Sequence, residues 1–346
     1  MKFLIFLLSF FSLSCAKLGY ITEQGIGQVS LEWNGLENEK VLMDPNVSVE
    51  NKRQVELIES YKNYFYDYFQ KERTDIYDET TFLKTEAVTY LVIVSPKNKI
   101  EALSTSFPIV GSFPYLGFFK KESALAYKEE KMKEGFSTYI RPVYAYSTLN
   151  QWIFNDNILS SFFQYNDEDL AELIFHELTH TILFIKDEVD FNESLADYIG
   201  RHLSFEYFKK SKEDIIKWKK LRSNSNQVLI EISHLALELN SQYEKSNDYN
   251  LTLNSFINST FKPKIKKLCE RLKVKNCWPL KSEWNNARFA GFLTYHKEQN
   301  LIEKLVIKKK FNLKDLLGYI EKTYNEYDSQ SKIKSFTKFI IQKEQI

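Results

Sequence analysis

FHELTHTILFIKDEVDFNES, residues 175–194, sets two of the chain's five histidines four positions apart, with a glutamate between them and another 13 positions after the second. On an α-helix, His176 and His180 stand about 40° apart around the axis and about 6 Å apart along it, so both imidazoles can reach one ion. Glu177 is turned about 60° from His180, beside such an ion, where a base for a bound water is needed. Leu170, Leu173, Ile174, Phe175, Leu178, Ile182 and Ile185 cover most of the circumference, so the helix is expected to be largely buried. The competing reading is a buried helix whose histidines hydrogen-bond internally. Unpaired buried charge is costly, and one zinc ion per chain would supply the missing partners.

The third ligand follows from the same stretch. The midpoint between His180 and Glu193 falls at Lys186 and Asp187, in a polar run that suits a turn. An antiparallel second helix would bring Glu193 level with the histidines at roughly 8–10 Å between axes, close enough to share one tetrahedral ion. Asp197 lies one turn beyond Glu193 on the same face, placed to accept the outer N–H of a ligating histidine and fix its tautomer.

Outward from this centre, the composition bounds the rest. The 346 residues are 43% hydrophobic and 27% charged, with 27 Phe and 21 Tyr, enough for a large core. Lys+Arg (47) and Asp+Glu (46) cancel, which argues against a nucleic-acid partner. Residues 1–14, MKFLIFLLSFFSLS, read as a secretory signal: one lysine, then an apolar run too short for a permanent span. Cys15 directly follows Ser12-Leu13-Ser14, a loose form of the lipoprotein acceptor pattern, and is expected to carry lipid. In an exported chain the remaining pair, Cys269 and Cys277, is expected to form a local disulfide.

No repeat or low-complexity tract interrupts residues 15–346, and glycine (10) and proline (7) are sparse, so one continuous domain is expected. Helical spacing runs over 51–71, a strand over 89–94, a helix over 121–134 stopped by Gly135, and a strand over 139–146, read as strand, crossover helix, strand. Asn166 is a cap followed by three carboxylates in the first helical turn. Further amphipathic helices are expected over 203–222, 226–242, 302–321 and 331–345. The lysine-rich 209–220 reads as a solvated helix face. Gly19, Gly25 and Gly27 lack the lysine of a phosphate loop. Asn285 and Asn286 are expected to cap a helix, and His234 and His296 to be structural.

HELTH followed by NESLAD resembles the gluzincin peptidases. The chain is more closely similar to a bacterial family described as "putative aminopeptidases, predicted lipoproteins". The matching pieces are CAKLGYITEQGIGQVSL (15–31), FPIVGSFPYLGFF (107–119), YAYSTL (144–149), LIFHELTH (173–180), FNESLAD (191–197) and WNNARFAGFLTYH (284–296). This resemblance implies a zincin-like α+β metallopeptidase, mainly helical with a small sheet. It implies His176, His180 and Glu193 as zinc ligands, Glu177 as catalytic acid/base, and peptides of the cell envelope as substrates. The Gly-Ala-Met-Glu-Asn signature of many gluzincin aminopeptidases is absent, which keeps an endopeptidase in view. A non-catalytic binding lipoprotein is the other alternative, and an intact Glu177 speaks against it. For the developing oxyanion, Tyr146 is the first choice, because a phenol at a strand end can point into a cleft, with Tyr144, Tyr198, His202 and Tyr295 in competition.

Overall fold

The computed structural model describes residues 20, 22–31, 33–107, 111–144, 156–293, 300–330, 333 and 335–345. In chain order the elements are β1 (Leu36–Glu37), α1 (Asn38–Met43), α2 (Val49–Phe69), β2 (Glu79–Thr81), β3 (Thr89–Ser95), β4 (Thr105–Phe107), β5 (Gly111–Phe113), β6 (Leu116–Phe118), α3 (Lys121–Lys133), β7 (Ser137–Val143) and β8 (Ile158–Leu159). A 3₁₀ turn (Ser160–Gln164) leads into α4 (Asp167–Ile182), α5 (Val189–Tyr207), α6 (Lys212–Tyr243) and α7 (Tyr249–Phe256). A π turn (Ile257–Phe261) precedes α8 (Lys262–Leu272), α9 (Trp278–Lys281), α10 (Asn286–Leu293), α11 (Asn300–Lys309), α12 (Leu313–Gln330) and α13 (Phe336–Glu344). The chain is mainly helical with small sheets, an α+β architecture.

Two compact units are built from interleaved segments: residues 1–28, 87–144 and 212–296 in one, and 29–86, 145–211 and 297–346 in the other. Because each unit takes its segments from several parts of the sequence, no single linker marks a boundary. In the first unit, β3 is flanked by β6 and β7, both antiparallel to it. Helix α3 therefore joins β6 to β7, two like-directed strands either side of β3. This corrects the expected crossover from the 89–94 strand, because three-residue β6 carries too short an apolar run to be noticed. Gly135, at φ +92°, ends the α3 turn as expected. A helical core gathers Ile232, Leu239, Phe261, Ile265, Trp284 and Phe289, and the Cys269–Cys277 disulfide closes the loop between α8 and α9. Asn285 caps α10 by accepting the Arg288 N–H at 2.9 Å, whereas buried Asn286 accepts from the Tyr243 hydroxyl at 2.7 Å and donates to the Pro96 carbonyl.

In the second unit, α4 packs against α5 and α2, and α11 and α12 pack on α5. Three expected helices need correction. The 203–222 segment spans the end of α5 and the start of α6, and the 226–242 segment is the later part of that same 32-residue α6. The 302–321 segment likewise splits into α11 and α12. At both breaks a lysine takes the left-handed C-terminal position, Lys209 at φ +50° and Lys310 at φ +56°, where a glycine would have announced the stop. Helices were expected over 51–71 and 331–345; α2 begins at Val49 on the Ser48 cap, and α13 is confined to Phe336–Glu344. The strand expected over 139–146 is β7, Ser137–Val143; residues 145 and 146 lie outside the described residues.

Candidate metal centre

Helix α4 starts where Asn166 caps it, its side-chain oxygen accepting the N–H groups of Glu168 (3.1 Å) and Asp169 (3.0 Å). Leu170, Ala171, Ile174, Phe175 and Leu178 are buried along it. The Phe175 ring sits among Tyr61, Tyr64 and Phe65 of α2 and Tyr207 of α5, with centroids 5.9–6.3 Å away. These ring contacts fix the rotation of α4 about its axis, and hence the direction of the two residues that follow Phe175.

The chain then turns back on itself through a clamp. Asn192, 2% exposed, accepts the Ile185 N–H at 2.9 Å and donates to the Ile185 carbonyl at 2.8 Å, while Asp187 takes φ +63°. That two-sided bond sets the register of α5 and so the height of the next residue, Glu193. Further along α5, Gly200 lies against the backbone of α4: a Cβ there would come within 2.7 Å of the Glu172 carbonyl oxygen and 3.0 Å of the His176 nitrogen. Only glycine allows the two helices this approach.

The result is a convergence of three donors. His176 Nε2 and His180 Nε2 lie 3.3 Å apart, and each is 3.4 Å from a different oxygen of Glu193. One ligand atom from each residue falls within a single compact group able to hold a metal ion. His176 Nδ1 lies 3.0 Å from Asp197 Oδ1, so the ring N–H donates there and Nε2 is the nitrogen turned toward the triad. His180 Nδ1 is buried and has no hydrogen-bond partner among the described residues.

The electrostatics carry the same message. Burial opposes charge on His176, but the hydrogen bonds to Asp197 and Glu193 and the Glu177 charge outweigh it and raise its pKa to about 10. Burial, and then the neighbouring His176 charge, push His180 down to about 4. Glu193 is held below the usual carboxylate range, first by its bond to His176. Two close imidazoles that cannot both be protonated, facing an ionised carboxylate, form a site suited to a cation.

Glu177 follows His176 on α4 and is half-buried. Tyr198 and His202 stack on one another on α5, centroids 4.2 Å apart, and burial followed by the Glu303 charge raises the Tyr198 phenol to about 12. Tyr144 packs on the core beside β3 in the other unit, and exposed His234 lies on α6. Tyr146, Tyr295, His296 and Cys15 lie outside the described residues. Sequence reasoning missed the roles of Asn192 and Gly200. Gly200 did leave a signal, since a glycine inside a helix costs about 1 kcal/mol relative to alanine and calls for a packing reason.

Among the described residues no helix is long and apolar enough to cross a membrane. No curated protein and no solved structure matches the chain. A family model described as "Putative aminopeptidase" matches residues 19–334. That span takes in both histidines, Glu177, Glu193 and Asp197, and on it the chain belongs to the putative aminopeptidase family.

Proposed function

We propose that the protein is a zinc-dependent, zincin-like peptidase of the bacterial cell envelope, an aminopeptidase, anchored by lipid on Cys15. The observation that carries the reading is the triad of His176, His180 and Glu193 with Glu177 adjacent to it. Its dimensions suit zinc. Donors bound tetrahedrally at about 2.0–2.1 Å stand about 3.3–3.4 Å from one another; here the two Nε2 atoms are 3.3 Å apart, and one ligand atom from each of the three residues lies within 4.8 Å of the others. The donor set of two neutral imidazoles and a carboxylate is also one that zinc favours over magnesium or calcium.

Zinc bound there supplies Lewis acidity and brings the pKa of a water toward neutrality. The chain's own residues do the remainder. Asp197 would accept the Nδ1–H of His176 and so fix Nε2 as the nitrogen offered to the metal, whose binding displaces any proton there. Glu177 takes the proton of the attacking water and returns it to the amide nitrogen as the C–N bond breaks, so it ends the cycle as it began. Tyr146 remains our choice for the group that donates to the developing oxyanion.

Metal analysis of the purified protein, combined with a chelator-reversible assay on free and amino-blocked peptides, tests the reading. One zinc per chain and cleavage confined to free amino termini are expected. Equal hydrolysis of blocked peptides would replace the aminopeptidase by an endopeptidase, the reading favoured by the missing Gly-Ala-Met-Glu-Asn signature. Glu177→Gln should retain the metal and lose about 10²–10⁴-fold in kcat. Full activity in that variant would remove Glu177 from the mechanism.

A further inference from the structure

The turn before β2 holds Tyr77 in a state that needs a reason. Its backbone lies in the left-handed region at φ +62°, the residue is 1% exposed, and its hydroxyl makes no hydrogen bond to any described residue. Residues with a Cβ avoid that region, and buried hydroxyls are normally paired. The surroundings nonetheless enforce both features. The Tyr77 N–H donates to the Asp156 carbonyl at 2.8 Å, and its own carbonyl accepts from buried Asn38 at 2.8 Å. Next to it, Asp78 is held by Lys62, whose side chain is wholly buried, at 2.7 Å and by Arg73 at 2.8 Å.

The same turn is fastened to the Glu177 side of α4. The Tyr66 hydroxyl bonds Thr74 at 2.7 Å and Thr181 at 3.0 Å, and Thr181 stands one helical turn after Glu177. Burial and then the Glu177 charge, ahead of that of Asp156, keep the Tyr77 phenol protonated well above its usual range. A strained turn held by so many bonds is the kind of feature that persists where function requires it.

We propose that Tyr77 is a positioning residue for the peptidase reaction, its buried phenol donating to the Glu177 carboxylate when that side chain turns toward it and fixing the oxygen that receives the water's proton. Substrate does not reach so buried a ring, so Tyr77 acts through Glu177. The inference rests on the peptidase reading above.

Tyr77→Phe provides the test, because it deletes a hydroxyl with no partner among the described residues and keeps the ring's packing against Phe162. The thermal midpoint of the metal-free protein and the zinc content should be unchanged. Activity should fall about 10–100-fold in kcat with KM within about twofold, as for loss of an outer hydrogen-bond partner at a metal site. Calorimetry should show a phosphinic peptide, which mimics the tetrahedral state, binding weaker by a similar factor. Unchanged kcat, or unchanged affinity for the phosphinic peptide, overturns the proposal. So does a marked fall in the thermal midpoint, since the hydroxyl would then serve the resting fold. A wild-type protein that takes up zinc but cleaves no peptide overturns the peptidase reading and this inference together. An active wild type with an indifferent Tyr77→Phe overturns this inference alone.

Discussion

Gly200→Ala changes one hydrogen to a methyl group 7 residues from the nearest proposed ligand on its own helix, yet the structure makes it a perturbation of the candidate triad. The new Cβ would sit 2.7 Å from the Glu172 carbonyl oxygen, where ordinary contact begins at 3.4 Å, so α4 and α5 must part locally by about 0.7 Å. The obstacles are backbone atoms of Glu172 and His176, which cannot swing aside as a side chain would. Overpacking of this kind costs about 1–3 kcal/mol. For a unit of this size that corresponds to a thermal midpoint lower by roughly 3–10 °C in the metal-free protein. Glu193 lies two turns before Gly200 on the same face of α5, so a rigid shift carries its carboxylate away from the histidines by a distance well beyond the ±0.2 Å that metal–ligand bonds tolerate. Zinc affinity, measured by competition with a chromogenic chelator, should weaken about tenfold or more. Gly318→Ala is the control: exposed within α12, with nothing within 4 Å of its Cβ position, it should stabilise by about 0.5–1 kcal/mol and leave zinc affinity alone. A Gly200→Ala protein with wild-type midpoint and zinc affinity would refute the claim that the close helix approach sets the triad.

The remaining expectations concern the ligands themselves. His180→Ala should bring zinc below one-tenth per chain after dialysis, because two donors of a tetrahedral set hold the ion weakly, and retention of a full equivalent would exclude His180 as a ligand. Asp197→Asn, which removes the carboxylate acceptor from His176, should lower zinc affinity about 10–100-fold with little loss of stability, as read by chelator competition and melting. The pH dependence of the metal-free protein has two opposed limbs. His176, raised from its usual 6.5 to about 10, contributes stability that is complete below pH 6.5 and lost as pH rises through 10. His180, lowered to about 4, contributes stability present above pH 6.5 and lost as pH falls toward 4. Melting in chelator from pH 4 to 10 should therefore peak near neutrality, with the alkaline limb absent in His176→Ala; a midpoint unaffected by that substitution at every pH would refute the assignment.

The convergence of His176, His180 and Glu193 was legible because its information is local. Two histidines one turn apart, a polar turn and a glutamate level with them fix most of the geometry through helix periodicity alone. Asn166 announced the start of α4, and the Cys269–Cys277 pair announced its short loop. What could not be read was long-range or unmarked. Tyr77 is 100 positions before Glu177, and nothing in the spacing says that a turn near β2 faces that helix. The ends of α5 and α11 were also hidden, for a specific reason. Lys209 and Lys310 take the left-handed position that glycine usually fills, so the familiar stop signal is missing from a chain with few glycines. Strand β6, three residues long, carries too little periodicity to separate from a loop, and its omission led to the wrong partner for α3.

The central claim is that His176, His180 and Glu193 bind one zinc ion together, and anomalous scattering at the zinc edge from crystals of the zinc-loaded protein measures this directly. The account predicts a single strong peak about 2.0–2.1 Å from both Nε2 atoms and from a Glu193 carboxylate oxygen, absent in His180→Ala crystals. A peak elsewhere, or none at the triad under saturating zinc, would contradict it.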